Sequence, residues 1–197
     1  MDAQNRYEGM SDYLARLPES AYRGLAYVHW SMTIEGRKTG WLVPIFYYRF
    51  REILAHTMFR YRLCCPIYCC MPDHLHMLWV GISEESDQRK GVKYFRKHMN
   101  ALLRTWAVKF QQQPYDRVLR DDELNEKAFE DLCEYIARNP ERAKLVNANC
   151  FRDYEYTGCL IPGYPELSVW QEDFWMRFWR TYSYLRKHGL FAVGDGE

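Results

Sequence analysis

Apolar and polar positions follow two different periods along this chain, and each change of period marks a new element. In GLAYVHWSMTI (24–34) β-branched and aromatic residues cluster and the polar EGRKTG follows, which predicts a strand and its loop. From Pro44 the period lengthens. Phe46, Phe50, Ile53, Leu54, Thr57 and Met58 recur at helical spacing, with Pro44 suited to the first turn. Residues 64–71 return to a strand pattern, Pro72-Asp73 reads as a turn, and HLHMLWVG closes a hairpin. A second helix follows, with Val92, Phe95, Met99, Leu102, Trp106 and Phe110 as its apolar stripe. YDRVLR (115–120) is a short strand, and a helix from Asn125 buries Phe129, Leu132, Cys133 and Ile136. Pro140 ends that helix, and Asn139-Pro140 opens another short one. This order predicts an α+β, ferredoxin-like antiparallel sheet with helices on one face. Beyond YEYTG and IPGYP, an aromatic helix sets Trp170, Phe174, Phe178, Tyr182 and Leu185 on one side.

A chain of 197 residues, 48% hydrophobic, suits a single core. The expected organisation is an N-terminal extension (1–23), one domain (24–150), and an aromatic-rich helical extension (151–197) packed on that domain. The seven cysteines are an odd number, and neighbours such as Cys64 and Cys65 face opposite sides of a strand. They read as reduced, packed thiols of a cytoplasmic protein rather than a zinc clip. No apolar run reaches the roughly 18 residues of a membrane span, and MDAQNRYEGMSD lacks a signal-peptide core, so a soluble protein with no membrane partner is expected. The net charge of +1 hides a segregation: Gln88 to Tyr115 contains no Asp or Glu. Within it Lys93, Lys97 and Arg104 form a basic stripe beside the apolar one. Such a stripe is either a solvated face or a track for a phosphate backbone.

The candidate chemistry begins at CCMPDHLHMLW (69–79). In a strand His74 and His76 point the same way about 7 Å apart, so both imidazoles can converge on one divalent ion. Spacing alone equally allows one hydrogen-bonded core histidine and one exposed histidine. Histidine-triad nucleotide hydrolases carry a third histidine as nucleophile where this chain has Leu78, which removes that chemistry.

CCMPDHLHMLWV resembles the MPNHxHxL segment of single-tyrosine HUH transposases, and CEYIARNPERAKLV resembles their YIxxNPxRAxLV helix, especially that of the REP-associated tyrosine transposases. YDRVLRDDE between them fits the same pattern, and the likeness runs from about residue 24 to about 147. The resemblance implies an HUH endonuclease fold. It implies that His74 and His76 bind Mg²⁺ or Mn²⁺, with Asn139 as a further metal ligand, and that Tyr135 is the catalytic nucleophile. The implied product is a 5′-phosphotyrosine on single-stranded or hairpin DNA; the basic stripe makes Lys93, Lys97 and Arg104 the candidate DNA contacts, and a monomer or a homodimer is expected. Two positions depart from the pattern: Asp73 replaces the usual Asn, and Lys144 stands where Gly is common. Asn139 also has a second reading, as the cap of PERAKLV.

Other readings stay open. Tyr135 is one of sixteen tyrosines, on the shoulder of its helix's apolar face about 100° from the stripe. Trp170, Trp175 and Trp179 suit a core as well as a base-stacking platform. A non-cleaving nucleic-acid-binding module, or a phosphoesterase using water, would keep the same fold. A replication initiator or relaxase would call for further domains.

Overall fold

The computed structural model describes residues 16–119 and 125–189. Most of the expected N-terminal extension, the end of the 115–120 strand and the last eight residues lie outside the described residues.

Strand β1 (Tyr27–Thr33) leads to α1 (Pro44–Tyr61), which opens with Pro44 in its first turn as the fixed φ of proline favours. Strands β2 (Leu63–Met71) and β3 (His74–Gly81) form the hairpin around Pro72-Asp73. The β2 register shifts between Cys64 and Ile67, where Pro66 lacks the N–H a regular ladder needs. Helix α2 (Gln88–Leu103) begins at Asp87, whose carboxylate accepts from the Lys90 N–H. After β4 (Tyr115–Val118), α3 (Glu126–Ala137) is capped by Asn125, which accepts from the Ala128 N–H. The one-turn α4 (Asn139–Arg142), β5 (Thr157–Leu160) and α5 (Phe174–His188) complete the described chain.

The sheet order is β4-β1-β3-β2-β5, and every described pairing is antiparallel. The first four strands have the expected ferredoxin-like order, and β5 extends the sheet beside β2. Residues paired across antiparallel strands share a face. Two cores follow. Val28, Trp30, Met32, Leu75, Met77 and Trp79 pack with Phe46 and Phe50 of α1 and Phe95 and Met99 of α2. On the other side, Ile67, Cys69, Met71, Leu78 and Val80 pack with Phe129 and Ile136 of α3 and Phe174 and Phe178 of α5.

The expectation of helices on one face therefore describes α1 and α2, and it needs an addition: α3 and α5 cover the second face. The cause is legible in β2, all nine residues of which are buried. A strand covered on both faces gains from a continuous apolar run instead of alternation. Cys64 and Cys65 fall in opposite cores, and all seven cysteines are free thiols.

The C-terminal helix belongs to this core. Phe129 stacks on Phe178, Phe178 stacks on Tyr182, and the Tyr182 hydroxyl donates to the Gly81 carbonyl at 3.0 Å. Aromatic pairs of this kind add about 0.5–1.5 kcal/mol each beyond their buried area. Trp170, Trp175 and Trp179 are half-buried against the same core, as their packing reading expects. No helix among the described residues is long and apolar enough to cross a membrane.

Candidate active site

His74 and His76 lie at the start of β3 on the sheet face that carries α3 and α5, because their partners across the ladder, Met71 and Cys69, belong to that core. Their Nε2 atoms are 3.0 Å apart. The other nitrogen of each ring is occupied. His74 Nδ1 meets the Asp73 carboxylate at 2.6 Å, and the other Asp73 oxygen accepts from Arg37 at 2.8 Å. His76 Nδ1 meets Nε2 of a third histidine, His29 of β1, at 3.2 Å.

The Asp73 contact assigns one proton. A carboxylate only accepts, so His74 carries its proton on Nδ1. Burial, with repulsion from His29, His74 and Arg142, pushes His76 down to about 3, and burial with the charge of Arg117 pushes His29 down to about 4. Both rings are neutral near pH 7. In the tautomer in which His76 Nδ1 donates to His29, the His76 Nε2 lone pair is turned to His74 Nε2 and is open to a shared cation; in the other, His29 Nε2–H donates to His76 Nδ1 and His76 Nε2–H donates to His74 Nε2.

The distance fits such an ion. Nitrogens 3.0 Å apart and each about 2.1 Å from one ion subtend roughly 90°, the angle of octahedral coordination. Burial alone would raise the Asp73 carboxyl, but hydrogen bonds from His74 and Arg37 outweigh it and leave it lowered. Asp73 thus stays an anion that orients His74, the arrangement that raises a ligating imidazole's basicity. Among the described residues no group of three or more His, Cys, Asp or Glu side chains is placed to hold one metal. His29 backs His76, and Asp73 is engaged by His74 and Arg37.

Tyr135 lies on the exposed shoulder of α3, 53% accessible. The Arg142 guanidinium sits 3.8 Å from its ring centroid, and the same charge reaches His76. Asn139 opens α4 yet gives no side-chain cap to it; the residue at the capping position is Arg138. Its Nδ2 instead donates to the Ile136 carbonyl at the end of α3, at 2.9 Å. The capping reading is corrected accordingly: Asn139 closes the C-terminus of α3, because the chain turns so tightly between the helices that its side chain points back. Its Oδ1 accepts from Arg142 Nη1 at 3.5 Å.

The basic stripe is elsewhere. Lys93, Lys97 and Arg104 are exposed, but α2 covers the opposite sheet face, so the sheet separates them from the histidines. Sequence reasoning missed His29, Arg37 and the position of Arg142. Nothing local marks His29; only the register that sets it opposite Leu78, beside His76, makes it part of the site.

No family profile and no curated protein matches this chain. Among solved structures, a REP-associated tyrosine transposase bound to a REP hairpin is similar over 75% of this chain and 82% of that one, with 16% identity and a TM-score of 0.60. That likeness establishes a shared fold: a five-stranded antiparallel sheet in an α+β arrangement, with the ferredoxin-like helix pair on one face.

Proposed function

We propose that this protein is a metal-dependent, transposase-like endonuclease and strand transferase acting on single-stranded DNA at hairpin sites of the REP type. The observation that carries the reading is the pair of Nε2 atoms, 3.0 Å apart, on the sheet face covered by the helix that bears Tyr135. The fold shared with a hairpin-bound transposase supports it.

In this reading Asp73 and His29 hold the two imidazoles with Nε2 unprotonated and facing the substrate. His74 and His76 would hold Mg²⁺ or Mn²⁺, and Asn139 Oδ1 would serve as a further ligand. When bound, that ion supplies the Lewis acid that draws charge from the non-bridging oxygens of a phosphodiester. The Tyr135 oxygen attacks phosphorus and gives up its proton. The bond to the 3′ oxygen breaks, that oxygen leaves as a protonated hydroxyl, and the 5′ phosphate stays on the tyrosine. Arg142, over the ring, places a positive charge beside the attacking group. The reverse attack by another 3′-hydroxyl transfers the strand without a nucleotide cofactor.

A hairpin oligonucleotide labelled at its 3′ end tests this. Wild type with Mn²⁺ should carry the label on the protein through denaturing electrophoresis, and Tyr135→Phe should bind the oligonucleotide without retaining label. An adduct that survives Tyr135→Phe overturns the assignment. A second reading, a non-cleaving binding module, draws on the lack of a third His, Cys, Asp or Glu donor among the described residues. Wild-type hairpin binding with no adduct would select it.

A further inference from the structure

The acid-free stretch 88–115 does not form one stripe in space. Arg89, Lys93 and Arg96 lie at i, i+4 and i+7 of α2 and face a cleft of about 480 Å³, closed on its other side by Arg16, Gln112 and Pro114. Lys97 is outside it, and Arg104 borders a different depression that contains Glu35. Among the described residues no acid lines the cleft. The nearby carboxylate Asp116 is already engaged, by Arg16 at 3.1 Å and by the Tyr22 hydroxyl.

The cations are set in place and poorly compensated. Arg96 donates through Nη2 to the Gln111 and Gln112 carbonyls, the latter at 3.0 Å, while its buried Nη1 has no hydrogen-bond partner among the described residues. Burial, then the charge of Arg16, lowers Arg96 to about 10. An anion in the cleft would relieve both effects.

We propose that the cleft between α2 and residues 112–114 binds the phosphate backbone of the DNA, as an anchor on the sheet face opposite the histidines. The inference deepens the proposed function and rests on it for the identity of the nucleic acid. Length favours a backbone over a single small anion. Arg89 to Arg96 spans about 10 Å of helix axis, longer than one small anion, and a duplex stem advances about 3.4 Å along its axis per base step, so the ridge runs beside about three steps.

The topology also supplies a route to the histidines. β4 is an edge strand, and beyond Pro114 it alternates faces. Asp116 turns to the cleft side. Tyr115 and Arg117, paired with Ser31 and His29, turn to the histidine side, and both are exposed. A DNA strand rounding this edge meets the cleft first and then an aromatic ring and a guanidinium beside the histidine centre.

The test is binding of a fluorescent hairpin oligonucleotide to the full chain in EDTA, where metal-dependent cleavage is off, over a range of salt. Arg89→Gln/Lys93→Gln should weaken binding about tenfold at moderate salt and flatten the log–log salt slope by about 1.4, at about 0.7 per single-strand contact. Arg96→Gln should act the same way. Because Arg96 also holds the 111–112 segment, the double variant, which leaves those carbonyl bonds in place, decides if Arg96→Gln fails to fold. Lys127→Gln on α3 should keep the wild-type slope. A double variant with wild-type affinity and slope overturns the cleft. So does displacement of the oligonucleotide by micromolar inorganic phosphate, which would mark a small-anion site. Cleft-dependent binding with no covalent adduct in Mn²⁺ leaves the anchor standing and removes the nuclease reading. A wild-type chain that binds no oligonucleotide removes both.

Discussion

His29 Nε2 lies 3.2 Å from His76 Nδ1, so a buried, neutral imidazole on β1 shares one proton with an imidazole on β3 and the tautomers of the two rings are coupled. His29→Phe removes that partner and leaves the buried His76 Nδ1 without a hydrogen bond, at a cost of about 1–3 kcal/mol. Mn²⁺ affinity, read by the EPR signal of free Mn²⁺, should fall about 10- to 100-fold. His29→Gln, whose amide can accept or donate at the same place, should recover most of it. Wild-type Mn²⁺ affinity in His29→Phe would reduce His29 to packing.

Removing the metal or either facing imidazole should stop cleavage without unfolding the chain. EDTA should abolish the covalent adduct, and His74→Ala or His76→Ala should slow its formation about 10²-fold or more. Adduct formation at full rate in EDTA would sink the metal assignment. Because His74 and His76 are only partly buried, far-ultraviolet circular dichroism of both variants should match wild type.

Asn139 is predicted to carry two separable roles. Asn139→Ala loses the bond to the Ile136 carbonyl, and urea denaturation should report a loss of about 0.5–1.5 kcal/mol. If Oδ1 is also a ligand, the same variant weakens Mn²⁺ binding, and high Mn²⁺ restores part of the cleavage rate. Lower stability with unchanged metal affinity would leave Asn139 as the closure of α3 alone.

Arg142 lies over the Tyr135 ring and beside Asn139, which suits a residue that positions the nucleophile. Arg142→Gln should slow adduct formation at saturating oligonucleotide about tenfold while changing affinity less than threefold. Arg142→Lys, which keeps the charge without the planar stack, should fall between. An equal loss in affinity and rate would make Arg142 a plain DNA contact.

The sequence by itself determined the elements and their order. Proline at 44, the Pro72-Asp73 turn, Asn125 as a cap and the break before Pro140 are local features acting within a few residues, and the observed boundaries follow them closely. It also set His74 and His76 on one side of a strand, because a strand's side chains repeat every second residue whatever surrounds it. Tyr135 on the shoulder of α3 follows from helical periodicity in the same way.

Only the tertiary structure decided what those residues meet. The second helical layer depends on α3 and α5 returning to a face already hinted at by the unbroken apolar run of β2, a run that period alone does not separate from a buried helix segment. His29 joins the centre through β1–β3 register, 47 residues away in the chain. Asn139 points back to α3 because of the turn between two helices, against the capping preference of its own dipeptide. The basic residues of the 88–104 stretch, a single stripe in helical projection, are divided by the 107–114 segment into a cleft and a separate rim. Each outcome is a contact between segments distant along the chain, and such contacts are settled by chain packing, which local propensity does not encode.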